Sequence, residues 1–104
     1  MENIRLALIA LPLALLAATA PLHAADVNNG RQIYNLHCAG CHGASGISVM
    51  PGAPSIARGA VLIRPDTAIL ASVRNGKNAM PAYVGILKDQ GILDVIAYMR
   101  TLRQ

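Results

Sequence analysis

The 104-residue sequence has no tryptophan and no phenylalanine, and only three tyrosines. A small chain with so little large apolar surface has few means of building a core by itself. Cysteine occurs only twice, at Cys38 and Cys41. Zinc usually takes four ligands in two separated pairs, whereas here His37, Cys38, Cys41 and His42 form one cluster with no second pair. No alternating strand pattern precedes the cysteines, so the βαβ setting of a thioredoxin-like redox pair is missing. A disulfide between them would close only a tiny loop. No repeat, low-complexity tract or linker composition marks a second domain.

Long hydrophobic runs are also scarce. Residues 6–18 form an apolar stretch shorter than the ~20 residues a membrane span needs, and Pro12 interrupts it. With Arg5 ahead of it (weakened by Glu2) and Leu22-His23-Ala24-Ala25 behind, the stretch predicts a signal peptide over residues 1–24. Cleavage is expected after Ala24 or Ala25, because cutting after Ala20 would place Pro21 at the scissile bond. Residues 25–104 are expected to be one exported domain in the periplasm, with no membrane span after cleavage. A domain of about 80 residues usually needs a staple such as a disulfide or a bound metal.

That domain is basic. From Ala25 onward eight Lys and Arg stand against four Asp, a balance of +4. The charges are scattered and Tyr34, Tyr83 and Tyr98 are the only aromatics, which argues against nucleic acid. A merely soluble surface explains the charge as well as the alternative does, which is steering toward a partner with an acidic docking surface.

Three helices are expected from apolar periodicity. Residues 26–38 carry Val27, Gly30, Ile33, Tyr34 and Cys38 on one face. Residues 66–75 start after Pro65 and stop at Gly76. Residues 89–102 carry Ile92, Val95, Ile96, Met99 and Leu102, with Arg100 and Arg103 suited to the dipole at the end. The segment around Met50-Pro51-Gly52-Ala53-Pro54 is expected to be an irregular loop, and residues 60–63 are too short an apolar run to assign.

Within this frame Cys38-Ala39-Gly40-Cys41-His42 is the attachment signature of haem c. The two sulfurs would join the haem vinyl groups as thioethers, and His42 would ligate the iron from the proximal side. Such a histidine normally gives its other ring N–H to a fixed acceptor, for which a backbone carbonyl near Pro54 is suited. Met80 is the expected distal ligand, because Pro81 biases it toward an extended backbone and thioether ligation raises the potential. Met50, also followed by proline, and His37 remain alternatives; His37 is expected to end the first helix in solvent. Val49, Met50, Ala82 and Tyr83 are expected either at the haem rim or in the core. Arg58, Arg64, Arg74, Asn75 and Lys77 are equal candidates for the propionates.

Gly30 and Tyr34 before the haem motif, Pro54-x-Ile56, Gly76-x-x-x-Met80-Pro81 and Ile92-x-x-Val95-Ile96-Ala97-Tyr98 together resemble class I cytochromes c of the small bacterial monohaem type. The resemblance covers nearly all of the domain. It implies an all-α fold of three main helices and loops around one covalently bound haem. The first and last helices would cross at Gly30, Tyr34, Val95 and Tyr98, and the Pro54 carbonyl would hold His42. Two positions depart from the family: no tryptophan is available for a propionate, and Lys88 stands where a capping Ser or Thr is common. The chain is also similar to cytochromes that accompany dissimilatory nitrite reductase in denitrification. The resemblance implies a monomeric one-electron carrier, not an enzyme, acting with redox partner proteins, of which nitrite reductase is one candidate. An accessory role in nitrite reductase or haem maturation, or a haem enzyme or gas sensor with an open sixth site, are the alternatives.

Overall fold

The computed structural model describes Pro12 and residues 23–104. The expected signal peptide therefore lies outside the described residues, save for Pro12, His23 and Ala24. Helix α1 spans Val27–His37, α2 is a single turn over Ala39–His42, α3 spans Asp66–Asn75 and α4 spans Asp89–Thr101, with a 3-10 turn at Val61–Ile63. No β-strand occurs among the described residues; the sole extended pairing there is an isolated bridge between Lys77 and Met80. Nor is any described helix long and apolar enough to cross a membrane.

Helix α1 begins where Asp26, in an extended conformation, accepts a hydrogen bond from the Asn29 amide at 3.0 Å. That satisfies one of the free N–H groups of the first turn. The expected helix over residues 26–38 is thus one residue shorter at each end, because Asp26 and Cys38 act as its caps. The α2 turn escapes sequence reading, since four residues are too few to show a helical period. Helix α3 has the expected bounds and stops at Gly76, whose φ of +73° suits a residue without a Cβ. Helix α4 starts after an extended Lys88 that makes no side-chain cap, so Asp89 alone complements its first turn.

Helices α1 and α4 meet backbone to backbone. A Cβ on Gly30 would sit 1.9 Å from the Asp94 carbonyl oxygen, which explains a glycine in a helix interior despite its cost there. Asp94 also locks the same crossing with its side chain. Buried at 4 % exposure, it accepts from the Asp26 amide at 2.8 Å, from Asn29 Nδ2 at 2.9 Å and from Gln90 Nε2 at 3.0 Å. Burial by itself would raise its carboxyl, but these three donors hold it below the ordinary range. The carboxylate also faces the start of α1, where the helix dipole favours negative charge.

The core is Tyr34, Ile56, Leu62, Ile69, Val73, Tyr83, Ile92, Val95, Ile96 and Met99. Arg100 ties its outer wall together, donating to the carbonyls of Leu62 and Arg64 while pairing with Asp66 at the start of α3. The Arg74–Asp89 pair between α3 and α4 lies about half in solvent, so it adds little to stability.

Candidate functional site

Residues 38–42 run from the cap of α1 through α2, and a tyrosine hydroxyl holds the chain on each side of them. Tyr34, completely buried, donates to the Gly43 carbonyl at 2.7 Å. Tyr83 donates to the His37 carbonyl at 3.0 Å. Buried phenols need a partner, and here the partners are the carbonyls directly before and directly after the motif. Burial, reinforced by Cys38 and Tyr98, pushes the Tyr34 phenol up to about 12, so it stays a donor at neutral pH. Tyr98 packs on it with ring centroids 5.4 Å apart.

Residue pattern alone does not reveal this arrangement, although the scarcity of aromatics signals that each buried phenol has a defined place. Tyr83 is 8 % exposed and belongs to the core, which resolves its two expected positions. His37 does end α1, but it is half-buried against the Tyr83 ring at 5.5 Å, so its expected solvent position is corrected. Val49, Met50 and Ala82 are exposed, as rim residues would be.

Cys38, Cys41, His42, Pro54 and Met80 all line one cavity of about 620 Å³. No disulfide joins Cys38 and Cys41. Burial pushes the Cys38 thiol up to about 11, the opposite of the lowered value that marks a reactive or metal-binding thiolate. His42 Nδ1 lies 2.8 Å from the Pro54 carbonyl oxygen. A carbonyl only accepts, so Nδ1 carries the proton, and in the neutral imidazole Nε2 then keeps its lone pair.

Met80 is held by backbone on several sides. It exchanges hydrogen bonds with Lys77 at 2.9 and 3.1 Å across a turn whose first residue, Asn78, has a φ of +53°. The following amides of Tyr83 and Val84 bond to Val73 and Arg74 at the end of α3. The segment lies directly on Gly76, where a Cβ would come within 2.8 Å of both the Met80 oxygen and the Ala82 nitrogen. Gly76 thus ends α3 and gives room to the residues that present Met80. The Met80 side chain is half-buried against the core, whereas Met50, on the same cavity, is 45 % exposed.

Ile56, Ile69, Val73, Val95 and Met99 complete a mostly apolar wall. Its polar residues Arg64, Ser72 and Lys77 also line a shallow surface depression beside α3. Among the described residues no group of three or more His, Cys, Asp or Glu side chains is placed to hold a bare metal ion. Two thiols with the His42 imidazole and the Met80 thioether around a large apolar cavity instead fit a metal carried in a macrocycle.

Residues 25–99 match the family described as cytochrome c oxidase, cbb3-type, subunit III. The chain is 38% identical over 97 residues to cytochrome c6 of Nostoc sp. (strain PCC 7120 / SAG 25.82 / UTEX 2576), covering 90% of this chain and 86% of that one. It is 42% identical over 78 residues to cytochrome c6 of Leptolyngbya boryana, covering 72% and 91%. The solved structure of cytochrome c6 from the diatom Phaeodactylum tricornutum superposes with a TM-score of 0.63 at 38% identity, over 73% of this chain and 92% of that one. The KustC0563 c-type cytochrome shares the fold, with a TM-score of 0.66 at 21% identity over 72% and 98% of the two chains.

Proposed function

Because this chain belongs to the class I c-type cytochromes and carries one covalently attached haem c, we propose that it shuttles single electrons in the periplasm, with His42 and Met80 the residues that would ligate the iron. It is an electron carrier acting with redox partners, and not an enzyme. The observation that carries the ligand assignment is the shared cavity, with His42 Nε2 left free by the Pro54 bond and Met80 fixed by its turn.

The haem supplies a one-electron Fe(III)/Fe(II) couple. Cys38 and Cys41 would hold it by thioethers, and the Tyr34 and Tyr83 hydroxyls keep the segment that bears them in place. Pro54 fixes the ring of His42 and strengthens its basicity through Nδ1–H. The Met80 thioether, as a soft ligand, would favour the reduced state. The apolar wall keeps the local dielectric low around the iron, so little reorganises as charge moves.

Met80→Ala is expected to open the iron to carbon monoxide and cyanide and to lower the potential. Met50→Ala should leave the methionine–Fe(III) charge-transfer band intact. Loss of that band in the Met50 variant, and its survival in the Met80 variant, would reverse the assignment.

The partner is proposed to present an acidic face, and nitrite reductase is the acceptor to assay. Lys77 supports this, being exposed on the turn that presents Met80 and at the cavity mouth. Association should slow steeply as salt rises, since the Debye length shrinks from ~30 Å at 0.01 M to ~10 Å at 0.1 M. Lys77→Glu should slow association and flatten that dependence, because rim charge acts mainly on the on-rate. A rate indifferent to both salt and the substitution would show docking to be apolar.

A further inference from the structure

We propose that Arg64, braced by Ser72, is the anchor for a haem propionate in this chain. The inference rests on the haem c assignment and concerns the polar end of that same cavity. The chain has no tryptophan and its five candidate residues are indistinguishable by sequence, but their surroundings separate them. Arg58, which bonds to Gln104 at 3.2 Å, does not line the cavity. Arg74, paired with Asp89 at 3.2 Å, does not line it either. Asn75 lines the outer depression and not the cavity. That leaves Arg64 and Lys77 on the cavity wall.

Of these two, Arg64 has the built geometry. Its Nη2 donates to Ser72 Oγ at 3.1 Å and to the Ala68 carbonyl at 3.2 Å. Both bonds leave from Nη2, so the guanidinium plane is fixed and the two N–H groups of Nη1 remain as donors. A guanidinium held in this way offers a carboxylate charge-assisted hydrogen bonds from a fixed position. Lys77 offers a point charge on a flexible stem. Arg64 and Ser72 both lie where the cavity meets the depression beside α3, the place for the charged end of an otherwise apolar group. A carboxylate entering an apolar cavity unpaired is strongly disfavoured, so the pairing also favours seating.

Arg64 has an electronic consequence. Its positive charge opposes the extra charge of the oxidised iron and offsets a propionate that would favour it, so it raises the potential. The side chain can be exchanged without moving the loop, because the Arg64 amide bonds to Val61 and its carbonyl accepts from Arg100.

The test compares Arg64→Gln, Arg64→Lys, Ser72→Ala and Arg58→Gln as purified holoproteins. The readouts are the midpoint potential by spectroelectrochemistry and the propionate bands in resonance Raman and infrared difference spectra. Arg64→Gln should lower the potential and shift the propionate bands. Arg64→Lys should retain most of the potential while still shifting the bands, and Ser72→Ala should shift them partially. Arg58→Gln should change neither. Unshifted bands in Arg64→Gln, or an equal fall in potential in Arg58→Gln, would overturn the proposal. A wild-type protein without a haem c spectrum would instead overturn the carrier assignment on which it rests.

Discussion

The Cys38→Ala/Cys41→Ala double variant is expected to lose covalent haem and, with it, a cooperative fold. The physical reason is the shape of the core. Its ten residues include no aromatic larger than tyrosine, and several of them, Ile56, Ile69, Val73, Val95 and Met99, also face the 620 Å³ cavity. The group that fills the cavity is therefore as much a part of the core as any side chain. Small domains that lack a sufficient core depend on such a staple. Acid–acetone extraction should leave the wild-type haem with the polypeptide and draw the variant's into the organic layer. Far-UV circular dichroism of the variant should show reduced helix and no sharp thermal transition. Extraction of haem from the wild type would refute the covalent attachment, and a cooperative melt in the variant would refute the dependence of the fold on it.

Gly30→Ala is expected to be the most damaging single substitution outside the haem ligands. The added Cβ would lie 1.9 Å from the Asp94 oxygen and 2.4 Å from its carbonyl carbon. Both are backbone atoms of a helix, so no rotamer change relieves the contact. Helices α1 and α4 must part, and the bonds from Asp26 and Asn29 to Asp94 must stretch with them. Overpacking usually costs ~1–3 kcal/mol, and a backbone clash belongs at or above ~3 kcal/mol. In a domain of this size ~3 kcal/mol corresponds to a fall of ~15 °C in Tm. Gly91→Ala on α4 is the control, since its Cβ would meet only the Ile33 Cδ1 at 3.4 Å. That change should be neutral or raise stability by up to ~1 kcal/mol, because Ala is the better helix former. Equal denaturation midpoints for the two variants would refute the close-approach explanation of Gly30.

The range of the forces involved separates the features legible in the residues from those that are not. The haem motif is legible because its three chemical residues are adjacent in the chain and need no fold to be recognised. Helices α3 and α4 are legible within a residue because periodicity, Pro65 and Gly76 act locally. The caps Asp26 and Cys38 blur the ends of α1 only by serving as its flanks. By contrast, the position of Tyr83 depends on a carbonyl 46 residues away. The burial of Asp94 depends on a backbone amide 68 residues away. The choice of Arg64 over its rivals depends on which of them line the cavity and which is held in place there. These are contacts between elements distant in sequence, where residue type permits either a solvated or a buried role. Only the packing of α1 against α4, and of the Met80 segment over Gly76, decides which role is taken.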